Sequence, residues 1–314
     1  MKKYLLGLDI GGIGIKCGLV SVEGELISFV EEPTEANKGR KQVLKNIKKA
    51  IASLLEKNKL TTKNIIGIGA GTPGLPDEKG TILHGAANLK QWQGTKLGEF
   101  LEKEFALPVR VENDVTALAS GEHRFGNGKK YKNFISLAFG TGLGGGIIID
   151  NKVYRGKHGY AAEFGHIKVN SEPTAPYCTC GKRGCLETYA STVGIKRMIH
   201  ENRKKFKTKL DLNSMPKDVY ALAKEKDKLA LLIVKEVGYR LGLGLATLVN
   251  IFDPEAIILG GGIIKAGPIF LKSFEYTLYD HVLPFYNKHK PKILKTKLSK
   301  EAGIVGSASL ILQD

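Results

Sequence analysis

Two related α/β domains are the fold class this sequence predicts, and three observations predict it. A strand, glycine turn, strand unit opens the chain as YLLGLDI, GGIG and IKCGLVSV, and it returns within residues 133–155 as NFISLAF, GTGLGG and GIIID. One supersecondary unit recurring about 130 residues later points to two domains of one design. Amphipathic helical stretches alternate with short apolar strands between and after the two copies, the pattern of sheets covered on both faces. A length of 314 residues suits two cores of ordinary size.

The first strand follows MKK, and Asp9 interrupts its apolar run well short of a secretory segment. EGELISFVE supplies a third strand after the glycine turn. Over 42–57, Val43, Leu44, Ile47, Ile51, Leu54 and Leu55 recur at three- and four-residue spacing with lysines opposite, which predicts a helix. A buried strand is expected at 65–70, a helix at 95–105, a strand at 108–111 and a helix beginning at or just after Asp114. Further along come long helices around 228–249, a buried strand at 256–259, a glycine turn at 260–262 and a final helix within 303–312. The expected division is residues 1–113, with a helix at 303–314 packing back on it, and a larger domain at 114–302.

Bulk composition narrows the partners. Charged residues at 25% and hydrophobic residues at 42% describe a globular chain rather than a disordered one. The longest apolar tract, 241–252, falls short of the roughly 18–20 residues a membrane span needs, so a cytoplasmic protein without a membrane partner is expected. A net charge of +17 could attract a polyanion. Its lysines are spread out, however, and the densest runs, 203–209 and 288–300, lack interleaved aromatics and any helix-turn-helix or finger signature. A solvated basic face without a nucleic-acid partner is the expectation.

Several groups can carry chemistry. Gly11, Gly12 and the run containing Gly140, Thr141 and Gly142 are either tight hairpin turns or phosphate cradles, since glycine lets backbone N–H groups approach an anion. Asp9 ends the first strand beside the first pair, placed to hold Mg²⁺ through water. His166, Cys178, Cys180 and Cys185 offer one imidazole and three thiols at close spacing, which suits a structural zinc better than redox-active thiols. Cys17 lies among apolar neighbours as a core residue. Glu112, Asn113 and Asp114 join a strand to a helix, where ligands gather in open α/β sheets, although Asp114 also suits a helix cap. Glu163 and Glu187 flank the cysteine loop, where carboxylates with His166 could accept from several sugar hydroxyls.

Taken together, the motifs resemble the ROK family, named for repressors, open reading frames and sugar kinases. The resemblance runs through LGLDIGG, GAGTPG, AANLKQW, VENDVTALASGE, FGTGLGGGII, AAEFGH, CTCGKRGCLETYAS and ILGGGI in order. It implies an actin-like (ribonuclease H-like) two-domain fold whose interdomain cleft closes on ATP and a sugar. By this likeness Asp114 is the general base, and Asn88, Asn113, Glu163, His166 and Glu187 are sugar-binding residues. Residues 140–146 become the second phosphate loop, and Gly261 belongs to a turn near the adenosine. The implied activity is ATP-dependent phosphorylation of a hexose, foremost glucose, with Mg²⁺ and a structural zinc, in a homodimer or homotetramer. Fructose, allose, mannose and N-acetylhexosamines are alternative substrates, and a sugar-responsive repressor or a non-catalytic sugar binder is the alternative function. One departure stands out: Ile13 and Gly14 replace the Thr and Lys usual after the first glycine pair. Ile13 is then either an apex without a phosphate-binding hydroxyl or a core residue.

Overall fold

The computed structural model describes residues 2–85, 89–298 and 301–313; the expected sugar residue Asn88 lies outside them. The chain divides into two compact units. Unit 1 comprises residues 1–132, 146–162 and 296–314, and unit 2 comprises 133–145 and 163–295. The first sheet has the order β3-β2-β1-β4-β7, built from β1 (Tyr4–Ile10), β2 (Gly14–Val20), β3 (Leu26–Pro33), β4 (Ile65–Thr72) and, after the short hairpin β5 (Leu75–Pro76) and β6 (Ile82–His84), β7 (Val109–Asn113). Strands β1 and β2 are antiparallel, whereas β1, β4 and β7 are parallel. Burial explains the composition: β4 is buried along almost its whole length and reads as an apolar run, while the edge strand β3 alternates half-buried and exposed residues. Helices α1 (Arg40–Lys57) and α2 (Leu97–Phe105) cover this sheet through Val43, Ile47, Ile51, Leu54, Leu97 and Leu101, and α3 (Asp114–Arg124) follows β7.

The second sheet repeats the plan in the order β10-β9-β8-β11-β12. Its strands are β8 (Phe134–Phe139), β9 (Leu143–Ile149), β10 (Lys152–Val153), β11 (Ala256–Gly261) and β12 (Lys292–Lys295). Strands β8, β11 and β12 are parallel. The helices of unit 2 are α4 (Glu187–Ala190), α5 (Thr192–Asn202), α6 (Pro216–Lys224), the continuous α7 (Lys228–Phe252) and α8 (Pro268–His281). Among the described residues no helix is long and apolar enough to cross a membrane.

The last helix, α9 (Ala302–Ser309), belongs to unit 1 and seals the sheet face opposite α1. Ile304, Val305 and Ala308 join Leu5 and Val20 in one cluster; burying a side chain such as Ile304 stabilises by about 1.5–3 kcal/mol. The approach is backbone to backbone, because a Cβ on Gly7 would sit 2.0 Å from Ile304 O and one on Gly69 would sit 1.7 Å from Ser307 O. Glu122, buried near the end of α3, fastens the segment leading to α9. Its Oε1 accepts from Thr296 Oγ1 (2.5 Å), Lys297 N (2.9 Å) and Leu298 N (3.1 Å), and its Oε2 accepts from Asn127 N (2.8 Å). Four charge-assisted bonds offset the cost of burying that carboxylate.

Candidate active site

In unit 1 the expected ligand residues lie at the carboxyl ends of three parallel strands, where helix N-termini and free backbone groups collect. Register pairs Asp9 with Gly71, Gly71 with Glu112, and Thr72 with Asn113. Burial raises the Asp9 pKa; Lys16, its register partner on β2, pulls it down and Glu31 pushes it up. A carboxylate beside a glycine hairpin, with Glu31 close by, fits a Mg²⁺ ion held through water, because that ion keeps most of its waters and binds by one or two carboxylates plus phosphate.

The hairpin after Asp9 closes with Gly11 N–H donating to Gly14 O (2.9 Å). From β3's end the fully buried Thr34 braces it, its N–H donating to Ile13 O (3.0 Å) and its hydroxyl to Gly11 O (2.6 Å). Ile13, at the apex beside Gly12, is 93% exposed. The core alternative for Ile13 is therefore excluded. Cys17 is fully buried in β2, as its apolar neighbours imply, and burial pushes its thiol far up.

Where β7 meets α3, Asn113 is the cap: its Oδ1 accepts from Val115 N (3.0 Å) and Thr116 N (3.3 Å), and its Nδ2 donates to Gly74 O (3.1 Å). That corrects the capping alternative for Asp114, which is the first residue of the helix, its Oδ1 accepting from Val115 N (2.9 Å). The preceding Glu112 is buried, accepts from Asn113 N (3.0 Å) and is paired with Arg155 Nε (2.5 Å). Neither the Glu112–Arg155 pair nor Thr34 stood out in the sequence, since each partner is some twenty to forty positions away and no periodicity links them.

In unit 2 the second hairpin closes with Gly140 N–H on Gly142 O (3.0 Å), and Thr192 N–H donates to Gly140 O (3.1 Å). Gly261 pairs with Phe139 at the carboxyl end of β11. Its φ of 80° and a would-be Cβ 2.1 Å from Phe139 O admit only glycine. Residues 139–142 and the turn at 260–262 thus sit side by side. Glu187, opening α4, reaches both ways: Oε2 accepts from Leu143 N (3.0 Å), while Oε1 lies 3.7 Å from Cys178 Sγ.

The His166, Cys178, Cys180 and Cys185 ligand atoms all lie within 4.8 Å of one another. Cys178 Sγ is 3.6 Å from His166 Nδ1, and Cys180 Sγ is 3.7 Å from Cys185 Sγ. A tetrahedral zinc with bonds near 2.3 Å to sulfur separates its ligands by about 3.8 Å, so this donor set fits that ion. Burial pushes the Cys178 thiol up to about 12, and a bound divalent cation reverses that by deprotonating its ligands. His166 turns its other nitrogen, Nε2, toward Glu163 Oε2 at 3.6 Å. Burial raises the Glu163 pKa; His166 opposes the shift and Glu187 adds to it. Glu163, His166 and Glu187 are thereby gathered around the cysteine loop.

Two α/β units, each carrying a glycine hairpin between an antiparallel pair beside parallel strands, define the actin-like class of fold. Within it the chain belongs to the ROK family, which it matches over residues 5–314. It is similar to the glucokinase of Halalkalibacterium halodurans, 36% identical over 99% of this chain and 96% of that one. The xylose repressor of Caldicellulosiruptor bescii is 33% identical, covering 99% of this chain and 78% of the repressor. Among solved structures, the ROK family glucokinase from Streptomyces griseus in complex with glucose and AMPPNP is 33% identical over 98% of both chains, with a TM-score of 0.79.

Proposed function

We propose that this chain is a cytoplasmic ATP-dependent hexose kinase that transfers the γ-phosphoryl group to the 6-hydroxyl of glucose, with Asp114 as general base. The observation that carries the reading is the division of labour at the start of α3. Asn113 caps the helix and ties itself to Gly74, so Asp114 is held at a helix N-terminus by a turn that does not depend on it as the cap. Its carboxylate would orient the attacking hydroxyl and accept its proton. Asn88, Asn113, Glu163, His166 and Glu187 would read the remaining hydroxyls, the carboxylates accepting, Asn88 doing both and Asn113 donating through its second Nδ2 hydrogen. Gly12, Thr141 and Gly142 would present N–H groups and one hydroxyl to the phosphates from turns that the Gly11 and Gly140 N–H groups close, and Gly261 would line the nucleoside. Mg²⁺ near Asp9 would offset the phosphate charge. Zinc on His166, Cys178, Cys180 and Cys185 would fix the imidazole so that Nε2 stays turned toward Glu163.

Relatives named as glucokinases support the hexose, and the glucose and AMPPNP in the Streptomyces griseus structure support the pair of ligands. The test is ADP release by the purified protein with glucose, fructose, allose, mannose and N-acetylhexosamines; glucose should give the highest kcat/KM, and no stimulation by any of them refutes the kinase. Asp114→Asn should lower kcat by about 10²-fold or more while the sugar KM changes far less. A second reading, a sugar binder without turnover, is favoured by the exposed Ile13 where a hydroxyl is usual. Sugar binding by calorimetry without ADP release would establish it.

A further inference from the structure

Residues 155–161 form a closed loop on unit 1. Ala161 N–H donates to Arg155 O (3.1 Å), and positive φ at Gly156, Gly159 and Ala162 turns the chain tightly. At its base Arg155 is pinned by buried Glu112, the residue before Asn113. At its tip, Gly159 packs against Pro76, whose strand pairs with β6. The loop projects His158 and Tyr160, and the Tyr160 ring meets His84 of β6 edge-on at 5.5 Å and His158 at 5.8 Å. All three side chains are exposed.

This cluster has no folding job that accounts for it, since an exposed trio of rings buries little of its surface. Its surroundings point elsewhere. His84 is followed by Gly85, which lies against Gly74, and Gly74 O accepts from Asn113 Nδ2. Tyr160 stands three positions before Glu163 in the chain, and His84 four before Asn88. Asn113 and Glu163 are both residues assigned to the sugar. Aromatic rings hold pyranoses by their apolar C–H faces, and a ring braced by neighbours loses little entropy in doing so.

We propose that Tyr160, braced by His84 and His158, is a specificity-determining residue that forms an aromatic wall for the C–H face of the hexose; this rests on the sugar-kinase reading above. β-D-glucopyranose, whose hydroxyls are all equatorial, offers an uninterrupted face. Mannose and allose each carry one axial hydroxyl, on opposite faces of the ring, so a single wall meets the axial hydroxyl of one of the two. The wall therefore selects for glucose through shape rather than through a hydrogen bond.

The experiment is calorimetric titration of the full chain with glucose, mannose, allose and, separately, AMPPNP, for wild type, Tyr160→Ala, Tyr160→Phe and His84→Ala. Tyr160→Ala should weaken glucose by about 5- to 20-fold, at least one of mannose and allose less, and AMPPNP less than twofold. Tyr160→Phe should recover most of the loss because the ring, not the hydroxyl, makes the contact, and His84→Ala should fall between. Glucose affinity within twofold of wild type in Tyr160→Ala, or a Tyr160→Phe as weak as Tyr160→Ala, overturns the wall and leaves the kinase standing. A wild type that takes up no hexose overturns both.

Discussion

The hairpin of unit 1 closes with Gly11 N–H on Gly14 O, whereas that of unit 2 closes one residue sooner, with Gly140 N–H on Gly142 O. In both, the carbonyl of the first glycine is held by a threonine from another element, the Thr34 hydroxyl in one and the Thr192 N–H in the other. Their apices differ. Unit 1 presents Ile13 to solvent, and unit 2 presents Thr141. The second hairpin is also tied by Glu187 to the cysteine cluster. Main-chain anchoring is thus common to the two copies, while a hydroxyl stands at the apex in unit 2 alone and unit 1 has Asp9 beside its hairpin; on the proposed reading the side-chain contact to phosphate would come from unit 2.

Asp9→Asn should have the largest effect. If unit 1 acts through its acid, turnover should fall by about 10²-fold or more, measured as sugar-dependent ADP release. The same variant should melt higher than wild type, because burial raises the Asp9 pKa above the ordinary 3.8 and the charged form costs stability. The sign follows from proton counting: the folded state holds more protons than the unfolded between 3.8 and the raised value, so wild-type stability falls as pH rises through that window. Asp9→Asn should lose that slope in melting curves taken across it.

Next in size is the metal. Cys180→Ser should lower zinc content from one per chain and weaken sugar binding more than nucleotide binding. Because Glu187 joins the cluster to Leu143, amide exchange should quicken at residues 140–143 and stay unchanged at 11–14; equal quickening in both hairpins would erase the distinction. Thr141→Val removes the hydroxyl from unit 2 and should cost about 10-fold in kcat/KM for ATP, within the range of one hydrogen bond to a charged group. Ile13→Thr adds the hydroxyl to unit 1 and should give the smallest effect, a gain of a few-fold in kcat or ATP affinity. Since Ile13 is exposed, its melting temperature should not drop.

Local signals made the hairpins, α1, β4, β7 and the cysteine cluster legible, because each is carried by neighbouring residues: glycine pairs, a three- and four-residue repeat, closely spaced thiols. The capping role went to Asn113 rather than Asp114, one position apart and both of residue types that cap well; the Asn113 Oδ1 bonds from Val115 N and Thr116 N separate them, and its Nδ2 bond to Gly74 fixes the side chain. Helix α8 and strand β12 were not anticipated. In α8 the aromatic residues Phe270, Phe274, Tyr276 and Tyr279 fall on more than one face and blur the periodicity. In β12 only four residues pair, at the edge beside β11, among lysines that read as solvated chain. The Glu112–Arg155 pair and the His84–Tyr160 contact join residues distant in sequence, so no single-sequence pattern could have carried them.

Helix α9 lies against β1 and β4 through Gly7 and Gly69, and this bears on how the protein emerges from the ribosome. The sheet of unit 1 is complete once β7 has been made, but one of its faces stays uncovered until the whole of unit 2 and the Glu122-bound segment have followed. The apolar groove around Leu5 and Val20 therefore lacks its α9 cover while residues 125–301 are being made, the situation in which chaperones are engaged. Unit 2, made of residues 133–145 and 163–295, contains no part of α9 and does not wait on it.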